Sequence, residues 1–80
     1  MNLNEFIDQI QSDYDDAVNR GFDSIVIAID TLQRNTYYIN DTEYGFQCDL
    51  FDYVTDDLYA MAMTVWTLIN HEKVAEIRIE

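Results

Sequence analysis

Proline is absent from this 80-residue chain, and glycine occurs only twice. Without proline- or glycine-rich stretches there is no candidate linker, so the sequence predicts one compact domain over residues 1–80. Cysteine occurs once, at Cys48, which excludes an internal disulfide and any paired-cysteine metal motif. The first residues lack the basic segment and apolar run of a signal peptide, and no apolar stretch is long enough to span a bilayer. We therefore expect a soluble, cytoplasmic protein.

Basic residues are scarce as well. Four Lys and Arg stand against 16 Asp and Glu, which gives a net charge of −12 and a pI near 4.1. A surface of this kind repels nucleic acid and anionic membranes and attracts basic partners, so direct nucleic-acid binding is not expected. The hydrophobic content of 49% and the aromatic content of 14% are typical of a folded domain and not of a disordered acidic segment.

The residue patterns of common active sites are missing too. Two glycines cannot form a phosphate-binding loop, and residues 40–52 lack the oxygen spacing of an EF-hand. Cys48 and the single histidine, His71, are the one conceivable nucleophile pair, but acidic surroundings do not lower a thiol pKa. Cys48 is better interpreted as a small buried hydrophobic residue. We expect no catalytic residue, no cofactor and no metal site.

The first helix is predicted by apolar residues that recur at helical spacing. Asn2 and Glu5 have the spacing of a capping box, and Gly21 suits the stop position. The stripe comprises Leu3, Phe6, Ile7, Ile10, Tyr14, Ala17 and Val18.

Period-two alternation predicts four strands, at residues 24–30, 36–39, 42–48 and 74–80. The first has β-branched residues on both faces, which predicts a central strand. The third would place Thr42, Tyr44, Phe46 and Cys48 on one face. With a second helix before the last strand, the order is α-β-β-β-α-β. This order predicts an α+β fold with a small, mainly antiparallel sheet and both helices packed on one face.

The second helix is predicted over residues 50–69, where apolar residues keep one phase: Leu50, Phe51, Val54, Leu58, Met61, Ala62, Val65, Leu68 and Ile69. One helix of about 30 Å is favoured. Thr55 followed by Asp56 and Asp57 also has the character of a helix N-cap, which would instead give a short helix followed by a longer one.

A single helix over 50–69 would align three aspartates, Asp49, Asp52 and Asp56, on its solvent face. Such a row does not by itself require a functional explanation. Repulsion between neighbouring aspartates costs a few tenths of a kcal/mol per pair, and the helix dipole stabilises an acid in the first turn by about 0.3–1 kcal/mol. Residues 35–72, however, contain no Lys or Arg that could neutralise the row. Tyrosine and methionine, which are enriched at protein interfaces, also lie next to the aspartates. We interpret this surface as partner-binding, with Asp57, Tyr53, Tyr59, Met63 and Glu43 beside the row and a second acidic patch at Asp13, Asp15 and Asp16.

In size, charge and layout the chain resembles the small acidic inhibitor proteins of phages and mobile elements. That class includes anti-CRISPR, anti-restriction and uracil-DNA-glycosylase-inhibitor proteins, several of which mimic nucleic acid. The opening "MNLNEFIDQI" resembles the start of one small anti-CRISPR protein, which also continues from a helix into a three-stranded antiparallel sheet. The chain departs from that protein at "VAEIRIE", residues 74–80, which has the pattern of a strand.

The resemblance implies a stoichiometric, non-enzymatic inhibitor in the cytoplasm of a host cell. It would occupy the basic groove of a nucleic-acid-processing protein, for example a CRISPR effector or a restriction enzyme. The alternative is an acidic adaptor or antitoxin-like module that binds through Tyr53, Tyr59, Ala60 and Met63. Either a monomer or a homodimer paired through an edge strand, 36–39 or 74–79, is compatible with the sequence.

Overall fold

The fold was analysed in a computed structural model, which describes residues 1–69 and 71–80. The predicted α+β class is confirmed: two helices accompany a five-stranded antiparallel sheet. The elements are α1 (Leu3–Asn19), β1 (Val26–Thr31), β2 (Thr36–Thr42), β3 (Gly45–Cys48), β4 (Val54–Thr55), α2 (Leu58–Ile69) and β5 (Val74–Ile79). The strand β4 was not predicted.

The first helix begins and ends where its sequence predicts. The Asn2 side chain accepts from the Glu5 amide at 2.9 Å, and the Glu5 carboxylate accepts from the Asn2 amide at 3.0 Å, so the capping box is present. Gly21 follows the helix with a φ of +81°, a conformation that glycine adopts without steric cost. Val18, predicted to lie on the apolar stripe, is exposed.

The sheet has the strand order β4-β3-β2-β1-β5. As predicted for a strand apolar on both faces, β1 is internal, with Ile27 opposite Ile39 of β2 and Ile79 of β5. The third predicted strand, 42–48, is shorter than expected. Thr42 belongs to β2, and Tyr44 lies in the β2–β3 turn with 81% of its surface exposed.

One hydrophobic core joins both helices to the same face of the sheet. The Phe6 ring of α1 lies 5.0 Å from the Trp66 ring of α2, centroid to centroid. α1 contacts β5, α2 contacts β3 and β4, and the core between them includes buried residues of β1, β2 and β3. Cys48 is buried in this core, as predicted. The fully buried side chains include Phe6, Ile10, Ile27, Ile29, Ile39, Met61, Val65 and Ile69.

The prediction of a single helix over 50–69 is wrong. Residues 49–52 form turns and bends, β4 pairs with β3, and α2 begins only at Leu58. Asp57 caps this helix, since its Oδ1 accepts from the Ala60 amide at 3.2 Å. The alternative of a new helix start after Thr55 is therefore nearer to the structure, although the predicted short first helix is replaced by β4. Leu50 and Val54, assigned to the apolar stripe, are exposed.

Candidate partner-binding surface

A tight turn places Glu43 beside the segment that leads into α2. Thr42 donates from its hydroxyl to the Gly45 carbonyl at 2.7 Å and accepts from the Tyr44 amide at 3.2 Å. Gly45 has a φ of +128°, and a Cβ there would lie 2.7 Å from the Thr55 carbonyl oxygen. The β2–β3 turn is therefore packed directly against the β4–α2 connection, which carries Asp56 and Asp57.

The far part of α1 reaches the same end of the sheet. The Tyr14 hydroxyl donates to the Asp41 carboxylate at 2.9 Å, and the Asp41 amide donates to the Ile25 carbonyl at 3.0 Å. Burial, with this hydrogen bond and the nearby charges of Asp41 and Asp15, raises the pKa of Tyr14. The acidic side chains of α1 beyond Tyr14 thus lie beside the end of β2.

We call the resulting surface the acidic end. Three separate chain segments contribute to it: α1, the β2–β3 hairpin and the β4–α2 connection. Its members are Asp15, Asp41, Glu43, Asp56 and Asp57. Asp41 was not identified from the sequence, because Asn40 and Asp41 together are typical of a turn. Only the fold shows that Asp41 lies in β2 beside Tyr14.

The basic residues lie elsewhere or are paired. Arg34 belongs to the β1–β2 turn at the opposite end of the sheet, and the Lys73 carbonyl accepts from Leu32 at that same end. Arg78 is held by Asp30 and Glu80 on the sheet face away from the helices. Arg20 forms an exposed contact of 3.5 Å with Asp16. Arg34 and Lys73, which form no ion pair with the described residues, therefore lie at the end of the sheet opposite the acidic end.

The predicted row of aspartates does not exist. Asp49 and Asp52 lie in the β3–β4 connection, and Asp49 accepts from the Asn40 side chain at 3.3 Å. Asp56 and Asp57 follow β4, so the four residues belong to two connections and not to one helix face. Of the second predicted patch, Asp13 accepts from Gln9 at 2.7 Å and is half-buried, and Asp15 belongs to the acidic end.

The exposed side of α2 is apolar and carries no charge. Tyr59, Met63 and Leu68 are exposed there, with 55%, 38% and 46% of their surfaces accessible, and the helix contains no charged residue at all. Met63, Thr64, Thr67 and Leu68 line a shallow depression of about 340 Å³. This surface starts at Asp57, so it adjoins the acidic end. Tyr53 lies apart from it and stacks on Phe51 with ring centroids 5.9 Å apart.

A buried carboxylate lies at the opposite end of the sheet. Glu72 accepts from the Thr31 hydroxyl and from the Asn35 side chain, each at 2.8 Å, and from the Tyr37 hydroxyl. These bonds, that of Tyr37 foremost, hold the pKa of Glu72 below its ordinary range. His71 Nε2 lies 3.4 Å from the same carboxylate. This cluster could not be read from the sequence, because its members are up to 41 residues apart.

The nucleophile pair considered from the sequence is not assembled in a reactive form. Burial raises the pKa of the Cys48 thiol, which disfavours the thiolate, whereas His71 is exposed and contacts Glu72. Among residues 1–69 and 71–80, no group of three His, Cys, Asp or Glu side chains is arranged to hold a metal ion. None of the helices in this part of the chain has the length and apolar character needed to cross a membrane.

No protein-family model, curated protein or solved structure matches this chain significantly.

Proposed function

We propose that this protein is a stoichiometric inhibitor that binds the basic nucleic-acid site of a partner protein. The observation that carries the proposal is a concentration of negative charge: acids from three segments meet at the acidic end, and the basic residues lie away from it or are paired. A groove lined by Lys and Arg attracts such a surface through the same long-range field that attracts a phosphate backbone.

The structure changes which residues we assign to this contact. Asp15, Glu43 and Asp56 are exposed at the acidic end and are available to meet basic side chains. Asp57 also serves the α2 N-terminus, so part of its charge interacts with the helix dipole. Asp49 and Asp52, the core of the predicted row, lie in the β3–β4 connection outside the acidic end and are no longer assigned to this contact.

The first test is a pull-down with tagged protein from nuclease-treated host lysate, eluted with increasing salt and then, in a parallel sample, with duplex DNA. We expect a nucleic-acid-binding protein that leaves at high salt and on addition of DNA, since charge-based contacts weaken steeply with ionic strength. A partner whose affinity is unchanged between low and high salt would contradict mimicry.

Matched variants test the surface itself. Asp15→Asn with Asp56→Asn neutralises two charges of the acidic end. The control is Asp8→Asn with Asp49→Asn, because neither residue lies at the acidic end. Asp8 is two turns before Asp15 on α1, and Asp49 follows the end of β3 that is farther from the acidic end. Both pairs change the net charge by two. We expect the first pair to weaken binding about tenfold or more and the control pair to do so far less, because opposed charges in close contact dominate such interfaces.

A second candidate function is favoured by the uncharged surface of α2. Tyr59 and Met63 have the character of interface anchors, and they lie on the exposed side of a helix without charges. An adaptor that binds through this surface should lose affinity on Tyr59→Ala or Met63→Ala and keep it at high salt. Under the inhibitor proposal the same substitutions have a smaller effect than the Asp15 and Asp56 pair.

A further inference from the structure

We propose that two copies of this chain associate through β5, antiparallel and centred on Ile77, so that the two sheets become one. β5 is the edge strand next to β1 in the described part of the chain. It has six residues, whereas the opposite edge, β4, has two. Unpaired backbone groups on a strand of this length are a template for another strand.

The hydrogen bonds to β1 show which backbone groups of β5 point outward. The Glu80 amide donates to the Val26 carbonyl at 2.9 Å, and Arg78 lies opposite Ala28. Backbone groups of successive residues alternate in direction along a strand. Arg78 and Glu80 therefore direct their N–H and C=O groups toward β1, and Ile77 and Ile79 direct theirs outward, toward the position of a second strand.

The charges select the register. In an antiparallel pair centred on Ile77, Glu76 lies opposite Arg78 of the second copy, and Arg78 lies opposite its Glu76. A pair centred on Glu76 or on Arg78 would instead place identical charges directly opposite each other, which is unfavourable. In this register the two Ile77 residues face each other as a hydrogen-bonded pair, which agrees with the outward direction of their N–H and C=O groups. Glu76 and Arg78 of the second copy form a non-hydrogen-bonded pair, in which the side chains lie closer together.

Both charged side chains are available for this contact. Glu76 is exposed and forms no hydrogen bond or ion pair with the described residues. Arg78 uses three donors, on Asp30 and Glu80, and its side chain is 38% exposed. A guanidinium group has five N–H donors, so two are left for a carboxylate across the interface.

The arrangement also separates the two acidic ends. Because the strands run in opposite directions, the Glu80 end of one β5 lies beside the Val74 end of the other. The acidic ends, which lie on the Glu80 side of each sheet, then point away from each other. The two-fold axis is perpendicular to the sheet, so both pairs of helices lie on one side of a continuous ten-stranded sheet.

The direct test is the molar mass in solution, measured by sedimentation at protein concentrations up to about 1 mM. The salt concentration is about 0.15 M, so that charges more than about 8 Å apart are screened. We expect the mass to rise toward twice the chain mass of 9.4 kDa. A chain mass that stays at 9.4 kDa over the whole range would overturn the proposal.

Charge exchange tests the register. Glu76→Arg places arginine opposite arginine, and we expect the dissociation constant to rise about tenfold or more. Arg78→Glu places glutamate opposite glutamate, with the same expectation. An equimolar mixture of the two variants restores both opposite-charge pairs and should form a heterodimer. Asp8→Arg is the control for net charge and should not weaken the dimer. Failure of the mixture to associate, with both variants folded by thermal melting, would overturn this register.

A cysteine pair gives a measurement that does not depend on the charge variants. In a Cys48→Ala background, Ile77→Cys should form a disulfide-linked dimer on mild oxidation, because hydrogen-bonded antiparallel partners have Cα atoms about 5.5 Å apart, within disulfide range. Ala75→Cys is the control, since Ala75 lies opposite Ile79 of the second copy, and the two Ala75 residues are offset by about 13 Å along the strands. Equal cross-linking of both variants would contradict the Ile77 register, and cross-linking of neither would contradict the dimer.

Discussion

The Thr31 hydroxyl donates a 2.8 Å hydrogen bond to the buried carboxylate of Glu72, across 41 residues of sequence. Thr31 ends β1, and Glu72 lies just before β5. Asn35 and Tyr37, in and after the β1–β2 turn, donate to the same carboxylate. One ionised group thus joins the turn between two strands to the segment that leads into a third.

The Glu72 cluster predicts a dependence of stability on pH. Hydrogen bonds from Tyr37 and Asn35 hold the pKa of Glu72 below its ordinary value of 4.5. The folded chain therefore binds this proton less tightly than the unfolded chain. The stabilisation is fully present above about pH 4.5 and is lost as the pH falls through the folded-state pKa.

Glu72→Gln removes the charge and should lower the melting temperature at pH 7. We expect the difference from the natural chain to shrink as thermal melts are repeated below pH 4.5, because protonation removes the same charge from Glu72. The exposed Glu43→Gln is the control and should show no comparable difference at any pH. A difference for Glu72→Gln that does not change with pH would show that the ionised carboxylate is not what stabilises the cluster.

The cap of α2 can be tested with two adjacent aspartates. Asp57→Ala removes the acceptor of the Ala60 amide and should cost about 1 kcal/mol of unfolding free energy, the usual value for an N-cap. Asp56→Ala, an exposed neighbour, should change stability by less than about 0.5 kcal/mol. Urea denaturation followed by circular dichroism measures both, and equal effects would contradict the assignment of Asp57 as the cap.

Gly45 should be harder to replace than Gly21. Both have positive φ, so alanine at either site adds backbone strain of about 1–2 kcal/mol. At Gly45 the new methyl group would also lie 2.7 Å from the Thr55 carbonyl oxygen, whereas at Gly21 nothing lies within 4 Å. We expect Gly45→Ala to be the more destabilising variant in urea denaturation. The opposite order would mean that β4 moves away from the turn at little cost.

The contact between Phe6 and Trp66 should be a main determinant of stability. Phe6 is fully buried, and truncation of such a side chain costs about 3–5 kcal/mol, against a total of roughly 5–15 kcal/mol for a small domain. We expect Phe6→Ala to lose most of its cooperative thermal transition. Phe22→Ala, which truncates an exposed ring, should melt close to the natural chain, and similar losses for both would contradict this view of the core.

Part of the surface was predictable from sequence. Tyr59 and Met63 are exposed, as the helical spacing predicts, and their surroundings are uncharged because residues 58–69 contain no charge. The row of Asp49, Asp52 and Asp56 was not predictable in this way. It depended on a helix start at residue 50, and the few apolar residues before Leu58 fit a helical period as well as a loop followed by a short strand.

The sequence by itself determined the fold class, the limits of α1 to within a residue, the internal position of β1 and the strongly negative charge. These depend on local patterns: a capping box, a period of 3.6 or 2, and composition. Only the tertiary structure decided where α2 begins, which acids meet at the acidic end, and that Thr31, Asn35 and Tyr37 surround Glu72. Those features depend on strand pairing and on contacts between residues far apart in the chain, for which a local pattern carries no signal.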